Sequence, residues 1–586
     1  MSERGKEILN LSSRIILIIS GIIGIGSIVI EYGFRVSHAE IRLLHYISMA
    51  VVFIFVLYQF IQLYIIKEKL AHIKQHKFEY FIISFILVEF FLSLIDLSLI
   101  KQIGSALDLK DITFLYIVFA HVYIILGIVI RGLRYNMKIL QSRLHPTRIF
   151  ILSFLVTILT GALLLMLPAS TVSGKINFID ALFTSTSAVC VTGLITVDTA
   201  TYFTTFGQII IMLLFQTGGL GLMTFTTFFA IFLSGGLGIR ERILLHDLLN
   251  EENIGAITRV LVYLLVTTFV IEIVGAMLLF QSIHTKFDSI YAAAFNSLFH
   301  SVSAFCNAGF SLFTLNLMDP SVQHNYLFLS VISFLIILGG LGFPTIFGFF
   351  TKKTTRTSFG KIKITLNLQN SIVIFMTLFL IVGGTILFYL LENSNTLTGL
   401  NELDKWFQSY FQSVTTRTAG FNSLNISQLT VPTSIMFLFL MFVGAGPGGT
   451  AGGIRVTTFA IIVASVWSII REQRQVKIGN RSIPNEIVVR SLLKMFMTIL
   501  FITLVLFGLT FFEDKSLLDL AFECFSAFGT VGLSRGITPM LTVPGKLGII
   551  ILMFIGRIGP LAFIYGIIKA KEKLRYDLPS ENISIL

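Results

Sequence analysis

Four short segments, each built around a glycine, recur at nearly equal spacing and limit what this chain can fold into. They read TSTSAVCVTGL around Gly193, SVSAFCNAGF around Gly309, SVTTRTAGF around Gly420 and FSAFGTVGL around Gly532. Successive glycines lie 116, 111 and 112 residues apart. A fourfold element within one chain predicts four loops that meet on a common axis, which is how an ion selectivity filter is built.

The residues around each glycine keep one register. An aromatic residue stands ten positions before the glycine, and a large apolar residue follows it directly. In chain order the aromatic residues are Phe183, Phe299, Tyr410 and Phe522. The apolar residues are Leu194, Phe310, Phe421 and Leu533. A single glycine of this kind would indicate close helix packing in a membrane, whereas four in one register favour a filter.

The composition is that of an integral membrane protein, with 55% hydrophobic and only 13% charged residues among 586. About twelve apolar runs are long enough to cross a hydrocarbon core of about 30 Å. Four precede the first glycine segment, near 13–31, 45–66, 79–100 and 113–130. The others flank the segments in pairs, near 149–168 and 205–233, 260–281 and 325–350, 370–391 and 433–469, and 491–512 and 544–568. We therefore predict an all-α integral membrane protein with four pseudo-repeats of helix, pore helix, filter loop and helix around one pore.

A four-helix N-terminal bundle is predicted to precede these repeats. The bundle covers 1–148, and the four pore repeats cover 149–237, 238–352, 353–470 and 471–586, the last with a cytoplasmic tail. A voltage sensor needs a ladder of Arg or Lys at every third position. The fourth span of the bundle offers only Arg131 and Arg134 at its end, so we assign the bundle an accessory role.

Basic residues collect in alternate loops between the predicted spans. Strongly basic segments include 67–77, 131–148, 352–363 and 471–490, together with the tail from Lys569. Because cytoplasmic loops carry an excess of Lys and Arg, the pattern predicts a multi-pass protein of the cytoplasmic membrane with both termini in the cytoplasm. The four glycine segments then face outward. The net charge of +12 follows from this topology and does not require a nucleic-acid partner.

The segment before each glycine is predicted to be a helix too short to span the membrane. These pore helices are expected to begin near Asp180, Asn296, Phe407 and Asp519. Asp180 and Asp519 are residues of the type that caps a helix N-terminus. A helix that points its C-terminal end at the pore favours a cation there. No ring of acidic side chains accompanies the glycines, so backbone carbonyl oxygens are predicted to coordinate a weakly hydrated monovalent cation.

A glycine-rich stretch interrupts the tenth apolar run. Six glycines and one proline between 444 and 453 cannot continue a helix, so this span is predicted to break halfway across the membrane. Irregular backbone at that depth is stable only where it lines a cavity or contacts protein, which favours an intramembrane gate over a merely kinked helix. The predicted gate residues are Gly444, Gly446, Pro447, Gly448, Gly449, Thr450, Gly452 and Gly453.

Arg557 stands alone in the otherwise uncharged run 551–568. A cation at the centre of a membrane costs about 2–3 kcal/mol or more, which makes this residue a candidate for function. The alternative is a side chain that extends to the membrane surface. The position of Arg557 near the middle of the span argues against that alternative.

With these motifs, the chain from about 149 to 570 resembles the TrkH/KtrB/HKT superfamily of potassium transporters. The segments that match its filter are Val191, Thr192, Gly193 and Leu194; Asn307, Ala308, Gly309 and Phe310; Thr418, Ala419, Gly420 and Phe421; and Thr530, Val531, Gly532 and Leu533. In that superfamily, glycine at all four filter positions goes with a preference for potassium. The resemblance therefore implies potassium bound at these residues as the permeant ion, with no cofactor in this chain.

The resemblance also implies roles for other parts. The glycine-rich stretch would be the gating loop, Arg557 would lie beside it at the cytoplasmic side of the pore, and Arg417 would bond backbone carbonyls of the filter scaffold. Members form homodimers in the lipid membrane above rings of cytosolic RCK-type subunits that bind nucleotides. Such subunits are therefore expected partners, with the basic loops 352–363 and 471–490 and the basic tail from Lys569 as docking surfaces.

Two functions fit this sequence. The first is potassium uptake through a passive or gated filter, and the second is secondary active potassium symport coupled to sodium or protons. The sequence displays no paired membrane-embedded carboxylates near the filter to couple ions, so uptake is preferred. Nothing indicates an enzyme, because no nucleophile–base pair, metal cluster or phosphate-binding loop stands out.

Overall fold

The computed structural model describes residues 3–34, 36–65, 146–221, 257–350, 353–356, 362–365 and 367–567, with isolated positions between 69 and 88. Its regular structure is helical apart from two antiparallel hairpins. Lys353–Arg356 pairs with Ile362–Thr365, and Lys477–Ile478 pairs with Arg481–Ser482. Both hairpins lie in the basic loops between repeats, so they leave the predicted all-α membrane fold intact.

Four repeats follow one plan, in which an outer helix, a pore helix and an inner helix succeed one another. The outer helices are Pro146–Leu165, Ile257–Ile283, Leu368–Glu392 and Asn485–Leu509. The pore helices are Phe178–Val189, Ile290–Cys306, Glu402–Thr415 and Leu517–Gly529. The inner helices are Thr205–Leu220, Tyr326–Leu341, Val431–Phe442 with Val456–Ile470, and Val543–Ile558. Short helices at Thr199–Tyr202, Phe343–Phe350 and Pro560–Ile567 complete the repeats.

Four described helices are long and apolar enough to cross a membrane alone: Ala39–Ile65, Val262–Lys286, Leu368–Glu392 and Asn485–Leu509. The pair Val543–Ile558 and Pro560–Ile567 makes a fifth span if it is counted as one, with a bend of 98°. Several other apolar helices are shorter because the chain breaks within a predicted span, as it does at Gly342 and after Phe442. The predicted span 113–130 falls outside the described residues, as does 79–100 apart from three isolated positions.

Three inner helices end at a glycine in the left-handed region, a feature that the sequence interpretation missed. Gly221, Gly342 and Gly559 have φ values of 80°, 85° and 93°, which glycine adopts without steric cost. Each is preceded by another glycine three residues earlier, at 218, 339 and 556. A side chain at that earlier glycine would collide with a carbonyl oxygen in its own pore helix, that of Val189, Phe305 or Phe528 respectively.

The outer helices hold the pore helices through a serine in the first three repeats. Ser185 donates to the Ile158 carbonyl at 2.7 Å, and Ser301 donates to the Glu272 carbonyl at 2.6 Å. In the third repeat, Ser413 donates to the Ile381 carbonyl at 2.8 Å. In the first two repeats, the outer helix therefore fixes the depth of the pore helix by a hydrogen bond and the inner helix fixes it by close backbone contact.

The predicted starts of two pore helices are wrong by several residues. The second and third begin at Ile290 and Glu402, earlier than Asn296 and Phe407, because the amphipathic pattern extends toward the preceding loop. The third is capped by Asn401, whose side chain accepts from the Asp404 N–H at 2.7 Å.

The predicted N-caps of the other two pore helices are also wrong. The first helix begins at Phe178 and the fourth at Leu517, where Ser516 is the cap. Asp180 and Asp519 lie in the first turn and form ion pairs instead. Asp180 pairs with Lys546 at 2.7 Å, and Asp519 pairs with Arg535 at 2.6 Å.

Two N-terminal helices, Glu3–Gly33 and His38–Ile65, form an antiparallel hairpin that matches the first two predicted spans. His45 contacts Glu31 at 2.9 Å across this hairpin. Gly33 lies against Leu167, since an added Cβ would come within 2.9 Å of that side chain. The hairpin therefore packs on the first pore repeat, next to the end of its outer helix.

Replacing Gly556 with Ala should lower the free energy of unfolding by about 1–3 kcal/mol, the usual cost of overpacking. The added methyl would meet the Phe528 carbonyl oxygen, which belongs to backbone and cannot rotate away. Gly508→Ala is the matched control, because its added Cβ has no atom within 4 Å. Thermal unfolding of the purified variants measures the difference, and equal midpoints would contradict the close approach of inner helix and pore helix.

Candidate ion pathway

The four segment glycines form a closed ring in which each faces the backbone of the next repeat. If each glycine carried a Cβ, that atom would meet the carbonyl oxygen of the residue that precedes the glycine of the next repeat. The pairs are Gly193 with Ala308 at 2.5 Å, Gly309 with Ala419 at 2.8 Å, Gly420 with Val531 at 2.5 Å, and Gly532 with Thr192. The fourth contact returns to the first repeat. All four predicted loops are therefore neighbours around one axis.

The backbone takes the same unusual path through each loop. The four ring glycines have φ values between 71° and 94°, so any other residue there would be strained. Two positions earlier, Val191, Asn307, Thr418 and Thr530 have φ values between 50° and 69°. Holding a residue other than glycine in this conformation costs about 1–3 kcal/mol, which persists only where the surroundings enforce it.

A hydroxyl near the end of each pore helix anchors its loop. Ser187 accepts from the Gly193 N–H at 3.0 Å, and Ser526 accepts from the Gly532 N–H at 3.1 Å. In the second repeat Ser303 donates to the Phe310 carbonyl at 2.8 Å. In the third repeat Thr415 donates to the Phe421 carbonyl at 2.6 Å. Each loop is thereby bonded to its own pore helix beside the ring glycine.

These anchors correct the predicted register of the third repeat. Ser187, Ser303 and Ser526 stand six residues before their glycine, whereas Thr415 stands five before Gly420. The third loop is one residue shorter, so Phe411 takes the place predicted for Tyr410. Phe411 is fully buried like Phe183, Phe299 and Phe522 in the other repeats, while Tyr410 is partly exposed.

The side chains of the loops divide into two groups. The residues after the ring glycines are buried in the hydrophobic core, namely Leu194, Phe310, Phe421 and Leu533. Three threonine hydroxyls of the loops are buried without a hydrogen-bond partner in the described part of the chain, those of Thr192, Thr418 and Thr530. Buried hydroxyls are normally hydrogen-bonded, so this group is compatible with a bound cation.

The glycine-rich loop lies directly against the ring loops. The inner helix of the third repeat ends at Phe442 and resumes at Val456, so the predicted break occurs. An added Cβ at Gly452 would collide with the Thr530 hydroxyl, and one at Gly453 would lie 3.4 Å from the Gly529 Cα. The loop therefore occupies the space next to the fourth segment.

Backbone hydrogen bonds tie the same loop to the inner-helix break of the second repeat. The N–H groups of Gly446 and Thr450 donate to the carbonyls of Gly340 and Gly339 at 2.9 and 3.3 Å. The Phe343 N–H donates to the Gly448 carbonyl at 3.3 Å. These backbone bonds attach the glycine-rich loop to the second repeat.

Three arginines, Arg417, Arg455 and Arg557, bind carbonyls of the glycine-rich loop. The Arg557 guanidinium donates to the Thr450 carbonyl and to the Gly218 carbonyl, which lies at the inner-helix break of the first repeat. Arg455 donates to the carbonyls of Gly446 at 3.1 Å and Ala451 at 2.7 Å. Arg557 therefore links the loop to the first repeat and lies inside the protein, so it does not extend to the membrane surface.

Arg417 bonds backbone carbonyls of two other elements of the third repeat. Its guanidinium is buried and donates to the Thr377 carbonyl at 3.3 Å and to the Gly444 carbonyl at 3.4 Å. It joins the outer helix of the third repeat to the start of the glycine-rich loop. These bonds fix the turn that leads to Gly420.

A buried carboxyl next to the second loop was missed by the sequence interpretation. Glu272 is 2% exposed and accepts from the Gln216 side-chain amide at 2.9 Å. The Cys306 thiol donates to the side-chain carbonyl oxygen of Gln216 at 3.1 Å, and its sulfur lies 3.9 Å from the Glu272 carboxylate. Cys306 precedes Asn307 of the second loop. The signal in the sequence was a lone acid in the apolar run 260–281.

These features define a class of protein: a multi-pass membrane protein whose four repeats bring their loops together around one pathway. The chain belongs to the TrkH family, described as cation transport proteins, whose sequence model matches residues 116–574. The predicted relationship to this group of transporters, which are not enzymes, is thereby confirmed. The two helices described within residues 3–65 precede the matched region.

Two relatives and one solved structure illustrate the similarity. Ktr system potassium uptake protein B of Bacillus subtilis is 41% identical over 441 residues, which cover 74% of this chain and 96% of that protein. Potassium/sodium uptake protein NtpJ of Enterococcus hirae is 36% identical over 456 residues, covering 76% and 99%. The crystal structure of the potassium transporter TrkH from Vibrio parahaemolyticus covers 82% of this chain and 97% of its own, with a TM-score of 0.59 and 16% identity. That match supports the fold.

Proposed function

We propose that this chain takes up potassium ions across the cytoplasmic membrane through a selectivity filter made of the four glycine loops. The observation that carries the proposal is the closed ring of glycines and carbonyl oxygens. Carbonyl oxygens can replace the hydration shell of a potassium ion. The four pore helices end at this ring, and their C-terminal dipoles favour a cation. Potassium is the transported ion and needs no cofactor in this chain.

Residues 444–453 act as the gate in this proposal. The loop lies against the filter and is held by Arg557, whose positive charge opposes a potassium ion on the same path. With Arg557 bonded to Thr450 and Gly218, the pathway is closed. Moving the loop away from Thr530 would open it, and the glycines permit the necessary change in backbone angles.

The proposed orientation in the membrane and the proposed partners follow from the positions of the basic loops and of the exposed apolar side chains. Both termini and the basic loops face the cytoplasm, which agrees with the excess of Lys and Arg there. Apolar side chains on the outer helices are exposed, among them Phe379 and Phe496 at 60% and 61%, and would contact lipid or a second copy in a homodimer. The hairpins at Lys353–Arg356 and Lys477–Ile478 lie in the loops proposed to dock RCK-type nucleotide-binding subunits.

Potassium symport coupled to sodium or protons is the second candidate, and Glu272 is the observation that favours it. A carboxyl inside the membrane that bonds only an amide and a thiol among the described residues could exchange a proton or bind sodium. Uptake measured at a clamped membrane potential separates the two functions. Symport requires that collapse of the sodium or proton gradient stop uptake, whereas a gated filter continues to conduct.

Replacing Gly193 with Ser should lower the potassium-to-sodium permeability ratio by about tenfold, which corresponds to about 1.4 kcal/mol. The new side chain would enter the ring beside the Ala308 carbonyl. Gly536→Ser is the matched control, because Gly536 has a φ of 91° but no neighbour within 4 Å. Reversal potentials in proteoliposomes provide the measurement. An unchanged permeability ratio in both Gly193→Ser and Gly420→Ser would show that these loops do not form the selectivity filter.

Replacing Arg557 with Met should raise potassium flux by up to about tenfold, since one lost charge-assisted bond is worth about 1.5 kcal/mol. Deleting residues 445–452 should change flux in the same direction. Arg148→Met is the control, because Arg148 donates to the Gly566 carbonyl at 2.8 Å away from the loop. Rubidium uptake by proteoliposomes measures flux, and a folded deletion variant with unchanged or lower flux would place the gate elsewhere.

A soluble nucleotide-binding protein should copurify with this chain from native membranes. Changing Lys352, Lys353, Arg471 and Arg474 to Ala should reduce its recovery, because these residues form the proposed docking loops. The control variant changes three lysines predicted to face outward, namely Lys175, Lys286 and Lys515. Full regulation of the purified chain alone, with no such protein recovered, would count against an external regulator and in favour of control by the N-terminal helices.

A further inference from the structure

A cavity of about 670 Å³ lies beneath the glycine-rich loop and is bordered by parts of all four repeats. Pro447, Gly448 and Gly449 of the loop contribute to its wall. Much of the remaining wall is apolar and includes Phe150, Phe154, Tyr263, Phe343 and Phe347. Its volume falls within the range of about 300–1,000 Å³ that is typical of ligand sites. We refer to this space as the vestibule.

Three cationic side chains and no anionic ones line the vestibule among the described residues: Arg455, Lys494 and Arg557. Arg455 and Arg557 are bonded to loop carbonyls, which satisfy N–H groups but carry no net charge. The Lys494 ammonium has no hydrogen bond or ion pair with any residue that the structure describes. Three positive charges therefore share one cavity without a counter-charge on its described walls.

Lys494 is exposed and the two arginines are partly exposed, so the cost of this arrangement comes from like charges beside one another, which raise the free energy of the cavity. A bound anion would remove this cost. Guanidinium groups match phosphate oxygens in geometry, and a lysine ammonium adds a third donor group. We propose that the vestibule binds a phosphate-bearing anion, either a soluble phosphate compound or the headgroup of an anionic lipid.

The site would also affect transport, and this part of the inference rests on the proposed function. A potassium ion leaving the filter toward the cytoplasm would meet the three cations. A phosphate group among them would lower that barrier and raise potassium flux. Binding itself can be tested without transport, so a failure of the anion site and a failure of the proposed filter are distinguishable.

The experiment measures thermal unfolding of the full chain in nanodiscs. One arm titrates inorganic pyrophosphate into phosphatidylcholine discs, and the other replaces part of the phosphatidylcholine with phosphatidylglycerol. We expect the midpoint to rise by about 2–4 °C in at least one arm, because a ligand that binds only the folded state stabilises it. A rise with pyrophosphate identifies a soluble ligand, and a rise with phosphatidylglycerol alone identifies a lipid headgroup.

Lys494→Gln should abolish the rise, because it removes a vestibule charge without breaking a described hydrogen bond. Arg490→Gln is the control: it makes a similar change of charge one turn earlier on the same helix, where Arg490 pairs with Glu486 on the exposed surface. The control should keep the rise. No rise in either arm, or equal rises in the native chain and Lys494→Gln, would overturn the proposal.

Discussion

Each ring glycine must approach the backbone of the next repeat so closely that no side chain fits between them. The contact from Gly193 to the Ala308 carbonyl is one of four, and the last runs from Gly532 back to Thr192. The four loops are therefore interdependent, because a shift of one changes the space at its neighbour. A pathway formed this way obtains its geometry from backbone atoms, which suits the coordination of a bare cation.

The rest of the fold keeps this ring in place. Hydroxyls such as Ser187 and Ser526 fix each loop to its pore helix, and glycines such as Gly556 let the inner helix touch that pore helix from behind. The glycine-rich loop lies beside the ring and is bonded both to backbone groups of the second repeat and to the guanidinium groups of Arg455 and Arg557. Different contacts therefore stabilise the two parts: close backbone packing stabilises the ring, and hydrogen bonds to backbone groups and guanidinium groups stabilise the loop.

The order of the repeats, the four loops and the break after Phe442 could be predicted from the sequence, because glycine and proline impose these features locally. The register of the third repeat could not, because a loop one residue shorter brings Phe411 rather than Tyr410 to the buried position. Helix starts were misplaced because Asp180 suits a cap but also suits an ion pair with Lys546, which is distant in the chain. The partners of Glu272 depend on tertiary packing alone.

We propose that potassium binds on the axis of the glycine ring. The most direct test is the anomalous scattering of thallium, which substitutes for potassium, in crystals of the full chain. We expect a thallium peak equidistant from Gly193, Gly309, Gly420 and Gly532 that sodium does not displace at equal concentration. A ring without thallium, or a dominant peak beside Glu272, would contradict it.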